Sequence, residues 1–278
     1  MRHKLCEDRR RTPRPPRVSL VVPAKNEARN LELILPELPP VHEVILVDGH
    51  SVDDTAATAQ RVMPSIRVLR QSRHGKGNAL ACGFAAARGD IIVMFDADGS
   101  ADPKEIPRFV DTLVAGADFA KGSRCLDGGG SEDITHLRSA GNRALSGLTN
   151  TVWGTSFTDL CYGYNAFWRD ILEDLRLPPV HLQTVNPVRT AVNGMAWGDG
   201  FEIETLLNCR VAGAGLAVAE VPSFEKGRIH GVSNLNALND GMRVLRTIVV
   251  ERHRKALADR RADIPWVRLK PSPAKVAW

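Results

Sequence analysis

Ile91-Ile92-Val93-Met94-Phe95-Asp96-Ala97-Asp98-Gly99 is the stretch that decides the fold. Five apolar residues in a row read as a strand buried on both faces, as strands inside parallel sheets are. The run stops at two carboxylates one residue apart, with glycine next. A buried strand ending in a short acidic turn presents both side chains at the mouth of a sheet. Hard oxygen ligands of that kind suit Mg²⁺ or Mn²⁺, which in turn hold a diphosphate. Taken alone, the same residues also describe an ordinary Asp-rich turn, so the flanking segments have to choose.

Upstream the pattern alternates. Strands are predicted at Val18–Val22, Glu43–Val47, Ile66–Leu69 and Ile91–Phe95, and helices at Ala28–Leu38, Asp53–Arg61, Gly77–Ala87 and Pro103–Ala115. A short strand follows at Asp118–Lys121. Parallel neighbours need crossovers, so this order predicts an α/β fold with a mostly parallel sheet and helices on both faces. Ligands of such sheets lie beyond the carboxyl ends of the strands. Four polar clusters should therefore share one edge: Pro23-Ala24-Lys25-Asn26-Glu27, Asp48-Gly49-His50-Ser51, Arg73-His74-Gly75-Lys76-Gly77-Asn78 and Asp96-Ala97-Asp98. Downstream, 135–150 and Phe201–Ala212 read as helices and Leu216–Val221 as a strand. Thr158–Arg169 is an aromatic stretch around Gly163, and 177–198 reads as a Pro-, Asn- and Gly-rich insertion. Asn236–Arg261 reads as a long helix, apolar at Leu238, Met242, Leu245 and Ile248–Val250.

The 278 residues carry a net charge of +5, unevenly placed: residues 1–17 and 251–278 are each +5, and the part between them is acidic. A nucleic-acid-binding fold would carry its basic face on the domain itself, so no nucleic-acid partner is expected. Basic ends suit contact with anionic lipid head groups, or serve as solubilising tails. No apolar run is long enough to span a bilayer and no secretory segment opens the chain, which reads as cytosolic, with peripheral membrane contact left to the basic ends. Five scattered cysteines, none in a Cys-x-x-Cys pair, indicate neither a disulfide framework nor a zinc site. The expected division is a disordered basic leader over 1–17, a catalytic domain over 18–234 with its halves meeting near 122, and a C-terminal helix and tail over 235–278.

The four clusters suggest a nucleotide site. Asp48 can accept hydrogen bonds from a ribose or a base edge, and Glu27 can do the same or cap a helix. Lys76, between two glycines at the start of a helix, suits a phosphate held by helix N–H groups. The spacing matches neither the Walker nor the Rossmann fingerprint. Acids for sugar and base, a lysine for phosphate and a metal clamp suit a nucleotide whose diphosphate must depart.

Val22-Pro23-Ala24-Lys25-Asn26-Glu27, Val47-Asp48-Gly49-His50-Ser51, Gly75-Lys76-Gly77-Asn78-Ala79, Arg88-Gly89-Asp90 and Phe95-Asp96-Ala97-Asp98-Gly99 together resemble the family 2 glycosyltransferases of GT-A fold. Within that family the chain is most similar to the polyprenol-phosphate (dolichyl-phosphate) mannose and glucose synthases, from about Val18 to Arg246. The resemblance implies an inverting transfer of a hexose from a GDP- or UDP-sugar to a lipid phosphate. It assigns Pro23, Ala24, Asn26, Glu27, Asp48, Lys76, Asp96, Ala97, Asp98 and Arg228 to the donor, and Asp96 and Asp98 to Mg²⁺ or Mn²⁺. Arg124, Arg138 and Ser233 fall to the acceptor, and Trp197 is a candidate beside them. Asp159 with Gly163 is similar to the family's Asp-x-x-x-Gly step. Catalytic roles fall to Asp98, Arg124 and Glu204, the last as base if the acceptor is instead the hydroxyl of a soluble small molecule. Two positions depart from the pattern: Gly49 stands where a second Asp is common, and Asn234 stands where a cation is common. A nucleotide-sugar-binding protein without activity is the third reading. The long C-terminal helix serves either a membrane surface or a second subunit.

Overall fold

The computed structural model describes residues 14–180, 195–231 and 237–262. Strands β1 (Val18–Ala24), β2 (Glu43–Asp48), β3 (Arg67–Arg70) and β4 (Ile91–Met94) alternate with helices α1 (Ala28–Ile34), α2 (Thr55–Val62) and α3 (Lys76–Ala86). All four residues of β4 are buried, as the unbroken apolar run demands. The helix expected over Ala28–Leu38 stops at Ile34 and tightens into a 3₁₀ turn at Leu35–Glu37. Pro36 has no N–H to continue the α-helical ladder. Helix α4 (Ile106–Val114) likewise begins after a 3₁₀ turn, which Asp102 caps by accepting from the Lys104 amide at 3.0 Å.

The second half supplies β5 (Phe119–Ser123), β6 (Gly130–Ser131), α5 (His136–Trp153), β7 (Asn165–Trp168), α6 (Leu172–Leu175), α7 (Ile203–Gly213), β8 (Val218–Pro222), β9 (Phe224–Glu225) and α8 (Ala237–Ala262). The main sheet has seven strands in the order β3-β2-β1-β4-β7-β5-β8, and β6 pairs with β9 in a small second sheet. Only β7 runs antiparallel, wedged between β4 and β5. It comes from the aromatic stretch left unassigned above. A four-residue strand carries no direction in its sequence, and its place is set by tertiary packing: Phe167 stacks on Phe119 at 5.7 Å and meets Phe84 edge-on at 5.2 Å.

Register sets the functional edge. Ala24 pairs with Asp48, and Asp48 with Arg70. The Phe95 amide donates to Val21 at 3.0 Å. Thus Asp96–Asp98 leave the sheet beside Pro23–Asn26. Arg88-Gly89-Asp90 lies at the opposite end of β4 and ties the chain start down. The Arg17 guanidinium reaches both Asp90 oxygens at 3.2–3.3 Å, so the last residue of the basic leader belongs to the fold, whereas 1–13 lie outside the described residues.

Helices α5 and α8 pack through a core of their own. Val244 and Ile248 of α8 meet Phe157, Leu160 and Cys209, with Leu145, Leu148 and Val152 of α5 alongside. The buried face of α8 is Val244, Thr247, Ile248 and Glu251, a helical i, i+3, i+4, i+7 set. Of the expected apolar stripe, Ile248 turns inward while Met242 and Val249 face solvent; the Leu238 side chain lies outside the described residues.

Two glycines test the packing. A Cβ on Gly83 would sit 2.3 Å from the Val21 side chain, between α3 and β1, whereas Gly147 on α5 has open space around it. In urea titrations Gly83→Ala is expected to lose about 1–3 kcal/mol, and Gly147→Ala to gain about 0.5–1 kcal/mol.

Candidate active site

A cavity of about 1010 Å³ runs along the carboxyl edge of the sheet. Its wall includes Pro23, Ala24, Asn26, Glu27, Lys76, Asp96, Ala97, Asp98, Arg124, Arg138, Glu204 and Arg228. Residues assigned to different loops by sequence thus converge on one space. Asp48 and Trp197 are not on its wall. The Asp48 carboxylate accepts from the Ser51 amide at 3.2 Å, closing its own turn. The Trp197 indole donates to Glu251 of α8 at 2.8 Å, with the guanidinium groups of Arg246 and Arg254 over its ring. Ser233 and Asn234 lie outside the described residues.

The acidic turn is wrapped in ion pairs. Lys76 Nζ lies 2.9 Å from both Asp96 oxygens and 2.9 Å from Glu204 Oε1. Arg228 bridges Glu27 at 3.1 Å and Asp98 at 2.7 Å. Four carboxylates therefore share two cations. Burial lowers the proton affinity of Lys76, but Asp96 and Glu204 more than reverse this and hold it protonated. Burial lifts the Glu204 carboxyl above its ordinary range, and Lys76 offsets part of that lift. Asp98 also accepts from the Ser100 amide at 3.0 Å and hydroxyl at 2.7 Å, which fixes its rotamer. The loop carrying Arg228 is strapped to the same turn: Ile229 N–H donates to the Asp98 carbonyl at 3.1 Å and Lys226 N–H to that of Ser100 at 2.8 Å.

The Gly75-Lys76-Gly77 turn works differently from the anion cradle that its sequence suggests. The Gly77 and Asn78 amides at the start of α3 donate to the Asp199 carbonyl at 2.8 and 3.2 Å. A Cβ on Gly77 would lie 1.9 Å from the Gly198 carbonyl oxygen. The glycines admit the 198–200 turn, and these two helix N–H groups are already satisfied. Asp199 is pinned from the other side by Arg73, which reaches its oxygens at 2.6 and 2.8 Å and also donates to the Pro179 carbonyl at 3.0 Å. Sequence reasoning missed this buried pair, because 126 residues separate its partners.

On the acceptor side, Arg124 is buried. It reaches Asp159 at 2.7 and 3.0 Å and Glu225 at 2.9 Å, and Asn142 of α5 donates to Asp159 at 3.0 Å. Arg138 is half-buried beside Asp133 at 3.4 Å. Ile134, Leu137, Gly141 and Leu145 line the same arm of the cavity, with Val244 of α8 opposite. The helical spacing of Leu137, Gly141 and Leu145 on one face of α5 is the signal by which they were findable.

The model of the glycosyl transferase family 2 domain matches residues 19–176. The chain belongs to this family. It is 32% identical to a polyprenol monophosphomannose synthase of Mycolicibacterium smegmatis over 80% of this chain and 82% of that one. An undecaprenyl-phosphate mannosyltransferase of Micrococcus luteus is also 32% identical, over 74% and 82%. Among solved structures, a glucosyl-3-phosphoglycerate synthase of Mycobacterium tuberculosis, in complex with Mn²⁺, UDP and glucosyl-3-phosphoglycerate, superposes with a TM-score of 0.64. At 24% identity, over 89% of this chain and 83% of that chain, it shows the shared GT-A-like fold. The protein is a glycosyltransferase, and the cavity lies at the carboxyl edge where an α/β fold places its ligand.

The Arg124–Asp159 pair yields a prediction. Burial raises the Asp159 carboxyl, but the hydrogen bond and charge of Arg124 pull it below its usual range. A depressed folded value stabilises the protein above the unfolded value of about 3.9, and that contribution is lost as pH falls through the folded value. Arg124→Met leaves a buried carboxylate without its cation and is expected to lose about 3–5 kcal/mol in urea titrations at pH 7. The gap from the parent protein should narrow in the same titration below pH 4.

Proposed function

We propose that this transferase moves a hexose from a nucleoside diphosphate sugar to a polyprenyl-phosphate-type acceptor, with inversion at the anomeric carbon and with Mg²⁺ or Mn²⁺ at Asp96 and Asp98. The observation that carries this reading is the joint placement of the Asp96/Asp98 turn and the Arg124/Arg138 pair on one cavity wall, with an apolar arm between α5 and α8. Two carboxylates on one turn fit a hard cation that keeps places for phosphate oxygens and water. Among the described residues no group of three or more His, Cys, Asp or Glu could hold a metal, so phosphate and water would complete the shell. Bound there, the ion would neutralise charge on the departing diphosphate.

The chain's own residues supply the rest. Arg228 and Lys76 stand beside the leaving group's position and can pass from carboxylate to phosphate contacts. Arg124 and Arg138 orient the acceptor phosphate, whose oxygen forms the new bond to the anomeric carbon as the bond to the diphosphate breaks. Such an acceptor is already anionic and needs no base. In this reading Glu204 serves to hold Lys76, which lies 2.9 Å from its carboxylate.

Transfer assays with GDP- and UDP-hexoses against polyprenyl phosphates and free alcohols test this. Product is expected with the phosphates, and Asp98→Ala should lower kcat/KM at least about 100-fold. Transfer to alcohols that Glu204→Gln abolishes would replace this reading with the soluble-acceptor one. Donor binding without turnover on any acceptor would leave a binding protein.

A lipid acceptor also requires a membrane surface. Among the described residues no helix is long and apolar enough to cross a bilayer. Met242, Val249 and Leu257 are exposed along α8, with Arg246, Arg252 and Arg254 exposed near them. This face suits peripheral binding to anionic lipid. The parent is expected to float with anionic vesicles and the Met242→Asp/Val249→Asp variant to stay behind. If the parent itself stays behind and sediments as a dimer, the face belongs to a second subunit.

A further inference from the structure

The cavity's far end holds a polar side chain for which neither ion pairs nor catalysis account. Gln71 follows β3, and its amide donates to the Asp48 carbonyl at 3.1 Å, which fixes its backbone. The residue is 6% exposed, and it lines the cavity. Its carboxamide is not among the sealed polar atoms of the core, and what exposure the residue keeps is toward the cavity. Gly49 and His74 line the cavity there too, and the His74 ring lies 5.2 Å from that of His50, which Arg70 anchors at 3.0 Å.

Position gives this amide its role. Strand β3 lies three strands from β4, about 14 Å at the usual strand spacing. A ribose and two phosphates have to cover that span if the diphosphate sits at the Asp96/Asp98 turn. Asp48, the residue sequence reasoning assigned to the base, turns its carboxylate toward the Ser51 amide and is not on the wall. A carboxamide presents one donor and one acceptor in a single plane. Oxo-bases carry the complement: N3–H beside O4 in uracil, N1–H beside O6 in guanine. A ligand that supplies both bonds replaces the water at this amide without loss, whereas one that supplies neither leaves the amide unpaired, so the first is selected.

The geometry points to Gln71 as the nucleobase-reading residue of the donor site, taking the adjacent N–H and C=O of a uracil or guanine nucleotide. This rests on the nucleotide-sugar reading above. Calorimetric titration with UDP, GDP and inorganic pyrophosphate, each with Mn²⁺, tests it on the full-length protein. Gln71→Leu is expected to weaken the recognised nucleotide roughly tenfold or more while pyrophosphate stays within about twofold. Gln71→Glu separates the bases. A carboxylate accepts from both N1–H and the 2-amino group of guanine, so GDP binding is retained. It faces O4 of uracil, so UDP binding falls as in the leucine variant. If Gln71→Leu binds both nucleotides as the parent does, or loses pyrophosphate equally, the assignment is wrong. A parent that binds neither nucleotide overturns the donor reading as well.

Discussion

Everything at the sheet edge answers to one imbalance of charge. Glu27, Asp96, Asp98 and Glu204 crowd around Lys76 and Arg228, four carboxylates to two cations, in a half-buried place where charges are poorly screened. A nucleoside diphosphate brings further negative charge to the same place. On the reading proposed above, it settles only if more positive charge arrives with it, and the two carboxylates of the Asp96/Asp98 turn are the groups placed to receive that charge. The cations now spent on Asp96 and Asp98 would then become available to phosphate oxygens, so that the same side chains would serve the free and the bound protein in turn.

That imbalance also explains why the surrounding backbone is so heavily tied. Asp98 is held by Ser100, its carbonyl by Ile229, and the 198–200 turn by the start of α3 and by Arg73. Carboxylates pressed together repel, and loose loops would splay. Hydrogen bonds from rigid elements keep them facing one space and remove the reorganisation that binding would otherwise require. The glycines at 75 and 77 serve this bracing rather than touching phosphate. A Gly-Lys-Gly at a helix start does not distinguish the two uses until it is known what lies on the other side of it.

The donor half was legible in the sequence because its information is local. Each of β1 to β4 is a short apolar run followed by a polar cluster, and the rule that parallel strands gather their ligands at one edge did the rest. Boundaries shifted by only one or two residues, except where Leu35–Glu37 and Pro103–Glu105 took the 3₁₀ form. What stayed hidden depends on contacts between distant segments. The direction of β7, the Arg73–Asp199 clamp and the seat of Trp197 against α8 are each fixed by a partner far along the chain. Asp48 stands at the strand end as expected, but an aspartate three residues before a turn amide can cap its own loop, and it does.

The half proposed to take the acceptor follows a different construction. Its wall is built from α5 and α8, packed through a small core separate from that under the sheet. Only Arg124 is anchored as firmly as the donor residues, through Asp159 and Asn142. Leu137, Arg138 and Gly141 sit on a helix face with exposed surroundings. A fold arranged this way can keep one leaving-group chemistry on the sheet edge while two helices set the shape and polarity of whatever approaches from the other side. The buried Arg124 is the fixed point between them, since it belongs to the scaffold by its ion pairs and to the cavity by its position. If the proposed acceptor site is right, its selectivity can be altered by substitutions on the facing sides of α5 and α8, at positions whose replacement leaves the sheet and its charges untouched.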